Sequence, residues 1–329
     1  MKYFTNFSDI KEKISNAIIT LGAFDGIHLG HKKIISRSVD VARSISGTSI
    51  VFTFSNHPLS LVDHEKMPLM ITSNEDKEKL VSELGIDVLC NAPFTSEVLS
   101  TSADGFVNFL RKLFDVKTII VGANYTYGHK GQGNAYTLQE AGKRHGFYVD
   151  IVDIVSVKDP ENGENVLVSS SNIREYIKGG QIEKAQMLLG RPFSITNKVV
   201  RGEERGRILG FPTANIDIQD NMIIPKDGVY IIKTTLSDGS IYNGVANVGD
   251  NPTFFGEKHR IEAHLFNFAG NLYGELIKVE FLGRLRDEMK FNSVQELIDQ
   301  IEFDIQKTKN FFWKTKKNKF SFALIQSLC

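Results

Sequence analysis

The sequence predicts an α/β protein in two parts: a first domain built on a mainly parallel sheet, then a smaller antiparallel β-barrel closed by a C-terminal helix. Three observations predict it. Buried-strand runs and helical patterns alternate through the first half, the signature of parallel strands joined by right-handed crossovers. From Arg191-Pro192 the texture changes to short β-like runs separated by glycine turns, which suits a small closed barrel. Near the end, Ser293 with Glu296 forms a capping box ahead of an apolar stripe at Leu297, Ile298, Ile301 and Ile305, a helix with one core-facing side. Gly179-Gly180 breaks a helix and a short helix runs from Ile182 to Leu189. We place the boundary near residue 185, giving domains 1–184 and 185–329.

Composition bounds the function classes. The 329 residues suffice for two cores. With 41% hydrophobic and 24% charged residues the chain reads as soluble and globular. Its 39 basic and 39 acidic residues cancel, which argues against a nucleic-acid partner. Cys90 and Cys329 form no metal or disulfide pattern, as expected in a reducing cytoplasm. No run has the length of a signal peptide core or a membrane span, so no membrane partner is expected. The basic run Lys314–Lys319 reads as a solvated end. Nothing in the composition speaks for or against an oligomer.

The first element is the apolar run Ala17–Leu21, a buried strand. It leads into Gly22-Ala23-Phe24-Asp25-Gly26-Ile27-His28-Leu29-Gly30-His31, and a helical pattern follows from about Lys32. A strand-to-helix turn of this kind is where ligands bind in open α/β sheets, and a helix start offers free N–H groups to a phosphate. His28 can donate to a phosphate oxygen, and His31, one turn later, can stabilise charge building on an α-phosphate. Gly30 lets the backbone approach closely. Zinc is a rival reading, weakened by the lack of a third nearby ligand.

The second strand, Ser49–Phe54, ends in Asn56-His57-Pro58 on the same sheet edge. A capped helix follows at Thr72-Ser73-Asn74, with Leu80, Val81 and Leu84 apolar. In the next helix Phe106, Phe109, Leu110, Leu113 and Phe114 share a core face. After the strand Lys117–Gly122 comes a glycine-rich loop in which Asn124, Tyr125 and Tyr127 stand, the tyrosines offering flat faces to a planar ring such as adenine. Ser169, Ser170 and Ser171 then open a helix carrying Arg174. Serines at a helix start bind phosphate through hydroxyl and N–H groups, and Arg174 can reach the β- or γ-phosphate of ATP and offset charge on departing pyrophosphate.

In the second half, Gly202, Gly206 and Gly210 punctuate a loop able to cradle phosphates, running through Arg207 into Phe211-Pro212-Thr213-Ala214-Asn215. Thr213 and Asn215 put two neutral oxygens on one side of an extended segment, which suits Mg²⁺ beside nucleotide phosphates. A hairpin is expected around Asp238-Gly239. In the strand Arg260–Phe266, alternation puts Ile261, Ala263 and Leu265 on the core face and Arg260, Glu262 and His264 on the other. Glu262 is a suitable general base for a primary alcohol attacking a γ-phosphate.

His28-x-Gly-His31 with its preceding Gly-x-Phe-Asp-Gly, and Ser169–Ile173-Arg174, resemble the two signatures of the nucleotidyltransferase superfamily. Phe211–Asn215, the Glu262 strand and Leu285–Phe291 resemble riboflavin kinase motifs. Together, from about Ile18 to Phe311, they resemble the bacterial bifunctional riboflavin kinase/FMN adenylyltransferase (FAD synthetase) family. The resemblance implies a Rossmann-like nucleotidyltransferase domain followed by a kinase barrel, with ATP as co-substrate, Mg²⁺ as cofactor, and riboflavin, FMN and FAD as ligands. It implies ATP binding by Gly22, Phe24, Asp25 and Gly30 and by Gly202, Gly206, Arg207, Gly210 and Pro212, metal and ATP binding by Thr213 and Asn215, and Glu262 as base. His57 and Pro58 match a family stretch lining the site, and Arg286 and Phe291 a loop next to the flavin. The chain departs from the family pattern at Ala23, Asn124 and Gly131. Alternatives are one working half, a flavin-binding regulator, or an adenylyltransferase for a pantetheine phosphate.

Overall fold

The computed structural model describes all residues except 64–65, 203–204, 254–255 and 327–329. The chain divides into two compact units that interleave around the expected boundary. Unit 1 is Met1–Arg174 with Met187–Gly190, and unit 2 is Glu175–Gln186 with Arg191–Cys329.

Unit 1 alternates strands and helices. Its elements are β1 (Lys2–Phe4), β2 (Ile14–Leu21), α1 (Leu29–Ser44), β3 (Thr48–Phe54), α2 (Asn74–Glu83), β4 (Val88–Ala92), α3 (Ser96–Ser100), α4 (Ala103–Leu113) and β5 (Phe114–Gly122). There follow the two-residue strands β6 (Thr126–Tyr127) and β7 (Gly133–Asn134), α5 (Ala135–His145), β8 (Tyr148–Val152), the small hairpin β9 (Ser156–Lys158) and β10 (Asn165–Leu167), and α6 (Ser170–Lys178). The main sheet has the order β1-β4-β3-β2-β5-β8, every pair parallel. The chain steps one way from β2 to β3 and β4, then returns to the other side of β2 for β5. The switch point lies between β2 and β5, the crevice where open α/β sheets bind ligands. One face of the sheet packs on Phe52, Phe106, Leu110, Phe114 and Leu138, the other on Ile35, Val39, Val51, Val81 and Leu89. Among the described residues the Phe106 and Leu110 stripe is core, as the spacing requires.

Unit 2 takes the C-terminal part of α6, most of α7 (Ile182–Leu189), β11 (Phe193–Val200), α8 (Arg205–Ile208), β12 (Ala214–Ile216), β13 (Gly228–Thr235), β14 (Ile241–Thr253), β15 (Gly256–Leu265), β16 (Leu276–Arg286) and α9 (Val294–Gln326). The six strands close a barrel in the order β11-β12-β15-β14-β13-β16, all antiparallel. Closure leaves no free edge to recruit another chain. Tyr230, Ile232, Ile261, Ile277 and Phe281 fill the core with no solvent exposure. The alternation expected in β15 holds: Ile261, Ala263 and Leu265 are buried, while Glu262 and His264 are half-buried on the other face.

Candidate functional sites

In unit 1 the turn after β2 is strained. Phe24 and Ile27 have φ of 48° and 40°, and Gly26 between them has φ of 85°. Left-handed backbone at a β-branched residue is costly, and such strain persists where surrounding structure over-determines it, often at functional sites. Here the surroundings are specific. The Asp25 carboxylate accepts the N–H groups of Ile71 and Thr72 at 3.0 and 3.1 Å, and Arg174 Nη2 at 2.6 Å. The Asp25 carbonyl accepts Ser170 Oγ at 3.0 Å. The turn is therefore stitched to α6.

Helix α1 begins at Leu29, one turn earlier than the apolar spacing suggests, because His28 caps it: its Nδ1 accepts the His31 N–H at 3.2 Å. The two imidazoles stack with centroids 3.5 Å apart and 17° between planes. Phe24 closes the other side of His31, edge-on at 5.2 Å. A Cβ at Gly30 would come 3.2 Å from the His28 ring, so only glycine leaves the stack undisturbed. His31 Nδ1 is shut off from solvent and, among the described residues, has no hydrogen-bond partner. Burial, then His28, then Lys77 drive the His31 pKa well below the ordinary imidazole range. The ring is neutral at pH 7.

Arg174, expected to reach a phosphate, is held by Asp25 and by the Leu69 carbonyl at 2.7 Å, its side chain 13% exposed against 4% for Asp25. A half-buried pair broken from one side leaves an uncompensated charge. Arg174→Met is accordingly expected to destabilise unit 1 by about 3–5 kcal/mol, read as a lower denaturation midpoint. His57 lies close enough to this pair to feel both charges. Burial and Arg174 lower its pKa, with Asp25 opposing, and its Nδ1 accepts the Leu59 N–H in the turn at Pro58.

Ser169 Oγ accepts the Asn172 N–H and caps α6, Ser170 is spent on Asp25, and Ser171 is exposed. Beyond β5, Asn124 is exposed and its Oδ1 lies over Gly122. Tyr127, expected to offer an open ring face, is packed in the core instead, with Phe106 and Tyr125 at 5.7 and 5.8 Å. Tyr125 is half-buried.

One residue of unit 1 was not singled out by the sequence. Lys77 on α2 has no solvent exposure, and its Nζ donates to the carbonyls of Phe54 and Ala23 at 3.1 and 3.5 Å. It sits at helical spacing with Leu80, Val81 and Leu84. A lysine on an apolar face was the signal.

In unit 2 a cavity of about 540 Å³ opens on the barrel. Thr213, Glu262, His264, Arg286, Phe291 and Gly206 line part of it. Thr213 Oγ1 approaches Glu262 Oε2 at 3.4 Å. In register, Glu262 lies between Asn215 of β12 and Asn247 of β14. His264 Nδ1 is 2.9 Å from the Pro212 carbonyl, which fixes the loop beside the strand. Gly206 is packed against the Phe211 carbonyl and Thr213, and Gly202 against the Asn215 amide, positions where a side chain would collide. Gly210 has φ of 87°. The side chain of Arg207 lies outside the described residues.

Asn215 is 6% exposed and, among the described residues, its buried Oδ1 has no hydrogen-bond partner. An unpartnered acceptor oxygen beside Thr213 and Glu262 fits a hard cation that keeps most of its waters. Among the described residues no cluster of three His, Cys, Asp or Glu side chains fits a metal held wholly by protein. Arg286 is paired to Asp304 on α9, Nε and Nη2 lying 2.9 and 2.8 Å from one carboxylate oxygen. Gln300 satisfies the other oxygen at 3.0 Å. Asp304 is 3% exposed. It was missed in sequence because it lies on the Leu297, Ile301 stripe, where only apolar residues were sought.

Comparison with known proteins agrees with two sites in sequence order. A family model for FAD synthetase matches residues 10–170, and one for riboflavin kinase matches residues 189–312. The Bacillus subtilis bifunctional riboflavin kinase/FMN adenylyltransferase is 36% identical, covering 94% of this chain and 96% of its own length. The Escherichia coli K12 protein of the same name is 33% identical over 91% and 94%. A crystal structure described as a macrolide-efflux protein from Streptococcus pneumoniae has a TM-score of 0.83 at 33% identity, covering 94% of this chain and 98% of that one. Among the described residues, no helix is long and apolar enough to cross a membrane.

Proposed function

The chain belongs to the bifunctional riboflavin kinase/FMN adenylyltransferase family, and from that premise we propose how its residues carry the two reactions of FAD biosynthesis. It phosphorylates riboflavin to FMN with ATP, then transfers AMP from a second ATP to FMN, giving FAD and pyrophosphate. We assign the adenylyl transfer to residues 1–184 and the phosphorylation to residues 185–329. The observation that carries the adenylyl half is the His28–His31 stack at the switch point of the parallel sheet.

In the adenylyl transfer the FMN phosphate attacks the α-phosphorus of ATP in line and pyrophosphate leaves, with no covalent enzyme intermediate. Such transfers are driven by positioning and by donors aimed at developing charge. Neutral His31 is assigned the stabilisation of charge on the α-phosphate, and the stacked His28 ring orients it. The α1 start, with Gly22 and Gly30, gives backbone N–H groups room to approach phosphates. Ser169, Ser170 and Ser171 supply the second helix start. Arg174 offsets charge on pyrophosphate, and Asp25 and Phe24 position Arg174 and His31. His57, Pro58, Asn124 and Tyr125 are assigned to the flavin side.

In the kinase, Glu262 accepts the proton of the ribityl primary hydroxyl as its oxygen attacks the γ-phosphorus of ATP and ADP leaves. The loop through Gly202, Gly206, Arg207, Gly210 and Pro212 holds phosphates. Thr213 and Asn215 would hold Mg²⁺, which supplies charge neutralisation on the phosphates when bound. Arg286 and Phe291 border the flavin, Arg286 fixed by Asp304. A reducing, ATP-supplied cytoplasm is the setting we assign.

A single time course tests this. Protein given riboflavin, ATP and Mg²⁺ is expected to yield FMN with ADP first and FAD with pyrophosphate after. FMN that never proceeds to FAD, even in a run started from FMN, would remove the adenylyl half. Tight flavin binding with no turnover would convert the reading to a flavin-binding regulator.

A further inference from the structure

Lysine is rarely buried without a carboxylate partner. Lys77 is such a case: it has no solvent exposure, and among the described residues its Nζ is held by two carbonyls. Carbonyls compensate only part of the desolvation of an ammonium. An apolar side chain would fill the same space with less cost, so the cation is a poor choice for stability alone.

Its place is more informative than its burial. The Phe54 carbonyl is the last of β3. The Ala23 carbonyl belongs to the turn after β2, between Gly22 and Phe24, and is also bound by Thr53 Oγ1 at 3.0 Å. The ammonium therefore ties the carboxyl ends of two neighbouring strands together one residue from the ring that packs on His31. Two groups of the candidate site act on it electrostatically, Asp25 from the turn and His31 from α1. The other titratable groups of that site are His28 at the cap of α1, His57 in the loop after β3, and Arg174 on α6. Glu75, Asp76 and Glu78 share its own helix. Lys77 is close enough to disfavour a charge on His31, and Asp25 is close enough to favour the charge on Lys77.

We propose that Lys77 is a positioning residue of the adenylyl-transfer site, a buried cation that fixes the turn under His31 and, while protonated, places a positive charge beside it. This rests on the reading of His28 and His31 as that site. Lys77 has no solvent exposure and two of its three N–H donors are directed at carbonyls, so it does not reach a phosphate. It sets the shape of the turn and, behind burial and His28, adds to the effects that disfavour a charge on His31, so that His31 acts as a hydrogen-bonding imidazole. Fixed charge near a developing negative charge acts without reorganising during the reaction.

The cation must stay charged for this. Burial pushes the Lys77 ammonium down to about 8, so its charge is lost within a range an assay can cover. FAD formation from FMN and ATP is expected to show an alkaline limb near pH 8 in the wild type. Lys77→Met should lower kcat for FAD formation by about 10-fold or more at neutral pH, with the KM for ATP changed far less, and should lack that limb. Lys77→Arg, which stays charged throughout, should keep most of the neutral rate and also lack the limb. Riboflavin phosphorylation by the same preparations is the internal control for intact protein.

A wild-type profile flat across the alkaline range overturns the proposal, as does an arginine variant with the wild-type limb, or a methionine variant with wild-type rate and limb. Should the methionine variant fail to fold, the wild-type and arginine profiles decide. His31→Ala run alongside separates the two readings. If it retains FAD formation, the site itself is misassigned. If it loses FAD formation while the Lys77 variants behave as wild type, only the role of Lys77 falls.

Discussion

Replacing His31 with alanine is expected to stop FAD formation and leave FMN formation running. Removing one pre-positioned donor from such a site costs about 10²–10³ in rate. His31 has the marks of a group kept for that use. Its Nδ1 is buried with no partner among the described residues, a condition worth about 1–3 kcal/mol of penalty in a folded protein. Its ring is clamped between His28 and Phe24. Because burial and the neighbouring Lys77 and His28 depress its pKa, it charges only well below pH 6.5. The adenylyl rate should therefore hold constant on the acid side of neutrality until that point. The measurement is a coupled assay of pyrophosphate and FAD from supplied FMN, beside an assay of FMN from riboflavin. Loss of both activities in the variant would break the assignment of separate sites.

Glu262→Ala is expected to produce the mirror image, with FMN formation lost and FAD formation from supplied FMN intact. Loss of a general base costs typically about 10²–10⁴. Glu262 stands on a rigid barrel strand whose alternate residues are locked in the core, so its carboxylate is held at the cavity wall beside Thr213. Rigid strands position such groups better than loops. Glu262→Gln keeps the volume and removes only the basicity, and it should fail equally. Kinase turnover unchanged in either variant would remove Glu262 as the base.

The fold and the arrangement of motifs were legible because they are local. Period-two and helical apolar patterns mark strands and helices one at a time, and the order of β2, α1 and β3 follows from them. His28, His31 and Glu262 stand out as candidates because their residue types stand at fixed spacing beside glycines or in a strand. What escaped was tertiary. Lys77 and Asp304 each occupy a place on an apolar helical stripe, and a charge there reads as an interruption until its partner is known. The partners of Lys77 are carbonyls 23 and 54 residues earlier, and that of Asp304 is an arginine on β16. The Asp25–Arg174 pair is of the same kind: both residues were picked as phosphate ligands from separate motifs, while their mutual bond spans 149 positions of chain. Tyr127 erred the other way. An aromatic beside glycines looked available, but Phe106 and Tyr125 occupy its faces.

The interleaving of the two units bears on inheritance. Residues 175–186 belong with the barrel and 187–190 with the parallel-sheet unit, so the polypeptide passes from one to the other three times within a short stretch. Ile177 and Ile182 are completely buried there, the Ile177 carbonyl accepts the Lys226 N–H, and Gly180 packs on Arg284. A recombination event that joined either half to a foreign gene at one crossover inside this stretch would separate residues from the core they complete. Clean exchange of one activity needs a breakpoint outside the whole stretch. Within this stretch, the wiring of the chain disfavours any single crossover that would part the two halves.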